Sequence, residues 1–468
     1  MKVLLRRPVL AAALLGAVLG LECGIRTEVP LGFLDVHRAG VLAARGEAAL
    51  IYDARARAEA KAYGDREHFP ERSFRYPPSL AALAAPLGLL SPRVAWGIGA
   101  VILGAWAAAG VAAAAALAAA RLPGGAGGWK GDGRWIPWAA VVPFVPFLAG
   151  ALGGGFPVVG VFAFATLGLL AIDRGRDRIG GVLLGLAAAV KIFPALLIAW
   201  ALWKRRWAAA AWGAGAAAVL FLALPGAVLG PGTTVDLLGA WAERGSDVFV
   251  TEYDEDPAWQ ISGRAQAFEG QSIQPVLTRW LAKAPYARVR ELPGALQDGR
   301  AAWVNGGREW GPGTIRILVG ILTFAALAVA VVATAPPADG AVEDRAGRGA
   351  LEAGLALALL FVLWPEARWT HFAFLAPASA ALAVRLAAPG PRNAGWTARA
   401  AALGAACLIA LLCSDALVGR GVADAVLARG GGLLAGLLLL GACASALMSG
   451  RGAAAPTAPE PAAVEAAS

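Results

Sequence analysis

The chain has 468 residues, of which 58% are hydrophobic and only 16% charged, with a mean hydropathy of +0.62. A soluble globular chain is about 45–50% apolar and about 25% charged, so this composition excludes an ordinary soluble domain and predicts a polytopic membrane protein. The net charge of +9 comes from arginines in short connections between apolar segments, which the positive-inside rule accounts for without a nucleic-acid partner. Four cysteines (Cys23, Cys407, Cys413, Cys443) have neither metal-binding nor disulfide spacing.

In chain order, Lys2, Arg6 and Arg7 precede an apolar segment at 8–24, read as an uncleaved first span with the N-terminus inside. The loop that follows, 25–92, is thereby delivered to the outer face. Its stretch 39–63, rich in Ala, Arg and Glu, predicts interfacial helices, and the apolar 79–90 is too short to cross. Further spans are expected at 93–120, 135–151, 155–172, 207–229, 314–335, 350–363, 372–385, 401–417 and 432–448. A second large outer loop occupies 230–312. The ten crossings return the C-terminus to the inside, and 1–449 forms one integral-membrane unit. The Pro/Ala/Glu-rich 450–468 reads as a disordered cytoplasmic tail.

The apolar segment 179–203 is the exception. A full crossing would put Lys204-Arg205-Arg206 on the side opposite Arg174, Arg176 and Arg178, and would bury Lys191 and Pro194 at mid-membrane. Two half-helices meeting at Lys191–Pro194 and returning to the same side remove both objections. Irregular backbone at that depth must line protein or a polar cavity, so Lys191 is expected to face a cavity.

Candidate chemistry gathers on the outer side. Asp35 sits near the boundary where the first span ends, as a general base would for a substrate hydroxyl, with His37 and Arg38 beside it and Arg45 beyond. Phe74-Arg75-Tyr76-Pro77-Pro78 combines a guanidinium, an interfacial tyrosine and a fixed extended entry into a helix. A lysine at the tip of a re-entrant hairpin calls for an anion, for which a lipid phosphate is the natural choice. Trp364-Pro365-Glu366-Ala367-Arg368-Trp369-Thr370-His371 gathers acid, base and two indoles between two spans; an aromatic belt with solvated charges is the plainer reading. Tyr253-Asp254-Glu255-Asp256 could hold a divalent cation, but a surface acidic run is the plainer reading. Gly270-Gln271-Ser272-Ile273-Gln274-Pro275 is polar without evident reason. No cofactor motif is present.

Taken in order, Asp35, Leu50-Ile51-Tyr52-Asp53, Tyr76-Pro77-Pro78, Gly180-Gly181-Val182-Leu183-Leu184-Gly185, Lys191-Ile192-Phe193-Pro194, Lys204-Arg205-Arg206-Trp207, Gln271-Ser272 and Trp369-Thr370-His371 resemble glycosyltransferase family 87. These are bacterial polyprenyl-phosphate-mannose-dependent mannosyltransferases of GT-C fold. The chain departs from the family pattern at Gly153-Gly154-Gly155-Phe156, where Gly-Gln-x-Asn is usual, and has one histidine where a pair is common. The resemblance implies an all-α GT-C-like bundle, a polyprenyl-phosphate sugar donor (mannose foremost) and a lipid or glycan acceptor. It further implies inverting transfer with Asp35 as base, and a donor and acceptor site drawn from His37, Arg38, Arg75, Tyr76, Lys191, Arg368 and His371. A GT-C enzyme with another sugar or a protein or polymer acceptor, and a lipid or solute transporter, are the alternative readings; intramembrane charge and a broken helix suit a transporter too.

Overall fold

The computed structural model describes residues 8–26, 28–52, 74, 76–119, 135–247, 270–281, 310–335, 345–365, 367–388 and 392–449. Every regular element among them is helical, as an apolar chain in lipid requires, because a helix satisfies its backbone hydrogen bonds within the segment. The first half runs α1 Pro8–Arg26, α2 Leu31–Ala44, α3 Pro78–Gly88, α4 Pro92–Ala119, α5 Ile136–Val141, α6 Val145–Gly153 and α7 Val158–Asp173. Then follow α8 Asp177–Val190, α9 Ala195–Trp203, α10 Trp207–Ala218, α11 Leu224–Leu229 and α12 Pro231–Asp247. The second half is α13 Ile273–Leu281, α14 Pro312–Thr334, α15 Arg345–Leu363, α16 Ala376–Ala387, α17 Ala394–Leu412, α18 Asp415–Val418, α19 Arg420–Ala428 and α20 Gly431–Ser449.

Among the described residues, seven helical stretches are long and apolar enough to cross a membrane: Pro92–Ala119, Ile136–Gly153, Trp207–Leu229, Gly313–Thr334, Trp369–Ala387, Ala394–Leu412 and Gly431–Ser449. The chain is a polytopic membrane protein. The other three expected crossings are also helical: α1 and α15 are 19 residues each, and α7 is the shorter apolar helix Val158–Asp173 at 16 residues. The first loop also differs from expectation in detail. Its helix starts at Leu31, ahead of the predicted 39, so Asp35, His37 and Arg38 all lie on α2. Of the predicted interfacial stretch, 53–63 lies outside the described residues, as does the tail 450–468.

The predicted hairpin is present. Between α8 and α9 the backbone breaks at Lys191, which is extended (φ −148°, ψ 135°), and Pro194 caps the return helix. Asp177 at the start of α8 lies 3.7 Å from Arg206 just beyond the end of α9, so the segment leaves and returns at one place. Close approach of small residues confirms the direction. A side chain at Gly181 would strike Ala209 and Gly213, and one at Gly185 would strike Gly213 and Ala216, so α8 and α10 rise side by side in the same sense. From the base at Asp177 to the tip at Lys191 is about 20 Å at 1.5 Å per helical residue.

A buried charge cluster fixes the chain at the base of the hairpin. Glu352, 5% exposed, accepts hydrogen bonds from Lys204 Nζ at 2.9 Å and Arg348 Nε at 2.7 Å. Lys204 also donates to Thr334 O at 2.8 Å, and Arg348 to Ala335 O at 2.6 Å. The two cations thus cap the otherwise orphaned carbonyls at the C-terminus of α14 while sharing one carboxylate.

Candidate functional site

The site is built around the tip of the hairpin, where three distant parts of the chain meet. From the first loop, Pro77 and Pro78 start α3, with Pro78 in the first turn where a missing N–H costs nothing. Ser79 Oγ donates to Ala189 O at 2.6 Å, which pins α3 to the end of α8 two residues before Lys191. Tyr52 OH donates to Tyr76 O at 2.7 Å, and Tyr52, Phe74 and Tyr76 form a chain of tilted rings. Tyr76 is thereby held where its ring lies 5.8 Å from Lys191 Nζ.

From the other side comes the turn after α15. Trp364 is 1% exposed and lies under Lys191 Nζ at 4.8 Å from its ring centre, while Phe193 stacks on it at 5.2 Å and 13°. Cation–π contact and stacking place one lysine and one phenylalanine of the tip on a single indole. His371 meets the same indole edge-on at 4.6 Å. Its backbone N–H donates to Arg368 O at 2.8 Å, and the Arg368 N–H donates back to His371 Nδ1 at 3.0 Å. That return bond makes Nδ1 the acceptor and leaves the proton of a neutral ring on Nε2. Nε2 is buried and has no hydrogen-bond partner among the described residues. A buried donor without a partner is costly and is a position where a ligand acceptor fits. Beneath the turn, Phe372 stacks on Phe147 at 4.5 Å and Phe374 meets Phe162 edge-on, so the turn rests on a rigid aromatic floor.

The polar segment at 270–275, which the sequence leaves unexplained, holds this turn. Gly270 bridges Arg368 in antiparallel fashion, and Gln271 N–H donates to Ala367 O at 2.7 Å. The fully buried Gln271 side chain donates from Nε2 to Leu427 O at 2.9 Å and accepts the Gly432 N–H at Oε1, 3.0 Å. One amide thus satisfies the end of α19 and the start of α20 while the Gln271 backbone N–H holds the segment at Ala367 and Arg368. No local signal could reveal this, because both partners lie far along the chain.

The other expected site residues fall as follows. Asp35 is half-buried on α2, one helical turn before Ala39 and two before Leu42. Ala39 and Leu42 belong to the apolar cluster of Tyr52 and Phe74 against which Tyr76 packs, so Asp35 lies on the side of α2 that faces this cluster. Arg38 is half-buried on the same helix. His37 points elsewhere: it is buried, its Nε2 faces Leu90 O at 3.2 Å, and its ring stacks on Phe33. Burial holds its pKa below the ordinary value, against the opposing pull of the Leu90 and Leu87 carbonyls. Trp364 and His371, for which an aromatic belt was the plainer reading, are both buried. Arg75, Asp53, Glu366 and the acidic run 253–256 lie outside the described residues. Among the described residues no group of three or more His, Cys, Asp and Glu side chains could hold a metal ion.

Fold and site together define an integral-membrane protein with a polar centre at the tip of a re-entrant hairpin. The model of glycosyltransferase family 87 matches residues 74–361, more than half of the chain and all of the hairpin, and the chain belongs to that family. It is a membrane glycosyltransferase. No curated protein and no solved structure matches it.

Proposed function

We propose that the protein transfers a sugar, mannose foremost, from a polyprenyl-phosphate donor to an acceptor hydroxyl on a lipid or glycan, with inversion and in a GT-C-like bundle. In this reading the Lys204 end and both termini face the cytoplasm, and the site opens on the outer face of the cell membrane. The observation that carries it is the convergence of Lys191 and the unpartnered His371 Nε2 on Trp364, opposite Tyr76, with the charge of Arg368 close enough to act on His371. Two cations and a buried neutral donor suit a phosphate.

Asp35 accepts the proton of the acceptor hydroxyl as its oxygen bonds to the anomeric carbon. The bond from that carbon to the phosphate oxygen breaks, and polyprenyl phosphate leaves already ionised. The leaving group therefore needs charge stabilisation more than protonation, and Lys191, Arg368 and Arg75 supply it. His371 donates from Nε2 to a phosphate or sugar oxygen, and Tyr76 lines the pocket. The position of Asp35 on the Tyr76-facing side of α2 supports its role; Arg38 beside it steadies the acceptor. His37 fits a weaker part, as a brace for α2 against the end of α3.

The test is to supply membranes containing the protein with radiolabelled polyprenyl-phosphate sugars and follow the label. Label passing from polyprenyl-phosphate mannose into a lipid or glycan is the expected result. No transfer from any polyprenyl-phosphate sugar, with label retained from a nucleotide sugar, would overturn the donor assignment.

A further inference from the structure

Two chain reversals lie side by side at the base of the hairpin. After α7, the N–H groups of Arg174, Gly175 and Arg176 bond to the carbonyls of Leu170, Ile172 and Ala171. After α9, those of Lys204, Arg205 and Arg206 bond to Trp200, Leu202 and Ala201 in the same pattern. The middle residue is left-handed in both turns, with φ 74° at Gly175 and φ 55° at Arg205. Glycine adopts that conformation freely, whereas a side chain meets a steric penalty there. Arg205 is the only non-glycine residue in that region among the described residues. The two turns are joined through Asp177 and Arg206 at 3.7 Å.

The surface around them is strongly cationic. Arg174, Arg176, Arg178, Arg205 and Arg206 are all exposed. The first four form no ion pair among the described residues. Lys204 is engaged with Glu352, and Asp177 with Arg206. Trp203 and Trp207 flank the second turn at 45% and 64% exposure. Exposed indoles beside cations mark the level of the headgroups, and planar guanidinium forks match phosphate oxygens.

We propose that the twin turns form a docking surface for anionic phospholipid headgroups in the leaflet from which the hairpin enters. The uncompensated positive charge selects anionic over zwitterionic lipid. Arg205 keeps its strained backbone because its side chain serves this surface in a way that the glycine of the sister turn cannot. A headgroup phosphate shared between Arg174 or Arg176 and Arg205 joins the two ends of the hairpin from outside, as Asp177 and Arg206 join them from within. None of this depends on the sugar-transfer reading.

The test uses the full chain in nanodiscs of phosphatidylcholine alone or mixed with phosphatidylglycerol, reading thermal unfolding and, by native mass spectrometry, retained lipid. The wild-type protein is expected to melt several degrees higher in the mixed lipid and to retain phosphatidylglycerol. Arg205→Gly should melt higher than wild type in phosphatidylcholine, since strain is relieved, yet gain less from phosphatidylglycerol. The double variant Arg174→Gln, Arg176→Gln should lose most of the gain while melting as wild type does in phosphatidylcholine, and it carries the test alone should Arg205→Gly fail to fold. Equal melting in both lipids, an undiminished gain in the double variant, or an equal gain from inorganic phosphate added to phosphatidylcholine discs would overturn the proposal.

Discussion

Lys191 Nζ lies 4.8 Å from the centre of the Trp364 indole, a contact between the tip of a hairpin in the first half of the chain and a turn in the second. The same indole receives Phe193 on its face and His371 on its edge. Trp364 is therefore the common support for the cation and the imidazole, and the site depends on it for shape more than for chemistry.

Trp364→Ala should thus destabilise the protein by about 3–5 kcal/mol, the range for removing a large buried aromatic side chain. Trp364→Phe keeps a ring under Lys191 with weaker cation–π attraction and should retain most of the stability. Thermal unfolding of both variants in one detergent checks the order; equal loss in the two would mean that ring support is irrelevant.

Gln271→Ala removes an amide that satisfies Leu427 O and Gly432 N–H, both buried behind it. An unsatisfied buried group costs about 1–3 kcal/mol. Hydrogen–deuterium exchange should accelerate at the amides of 367–371, beside the Gly270–Arg368 bridge, and stay unchanged at α4 and α7. Unchanged exchange at Arg368 and His371 would show that the turn stands without this clamp.

Glu352 holds Lys204 and Arg348 at once, with 16% and 17% side-chain exposure for the two cations. Glu352→Ala strands both charges and should cost about 3–5 kcal/mol, as breaking a buried ion pair does. Replacing all three by apolar residues of similar size should restore much of that loss. Chemical denaturation of the single and triple variants distinguishes a real electrostatic clamp from a merely well-packed corner.

His37 gives a pH dependence whose sign follows from its burial. Its folded pKa lies below the ordinary imidazole value of 6.5, so the folded state resists protonation that the unfolded chain accepts. Its contribution is complete above about pH 6.5 and is lost as the pH falls below that, through the folded value. His37→Gln keeps an amide donor for Leu90 O and should flatten the acid side of the melting-temperature profile. A variant profile identical to wild type over that window would remove His37 from the account.

Much of this architecture was legible in the chain, and for physical reasons. Charge balance across successive loops makes a full crossing at 179–203 untenable, and the Asp177–Arg206 contact bears out the hairpin. Tyr76 and Lys191 stand out because a proline-fixed entry and an intramembrane charge are unusual on their own. Gln271 was opaque because its meaning lies in Ala367, Leu427 and Gly432, which only folding brings near. Trp364 reads as an interfacial indole until Phe193, Lys191 and His371 are seen to cover it. His37 lies two residues from Asp35, but a helix sends the two side chains to different sides, one to the Leu90 carbonyl and one toward the Tyr76 cluster.

The central claim is that a carboxylate beside this cluster activates the acceptor, and Asp35→Asn tests it most directly. The variant should be made in membranes to the same level as wild type and assayed for transfer of radiolabelled mannose from polyprenyl-phosphate mannose, with retention of the unreacted donor measured in parallel. The account predicts donor retention close to wild type and transfer reduced by roughly 100-fold or more, the range for a lost general base. Transfer at a near-normal rate would contradict it.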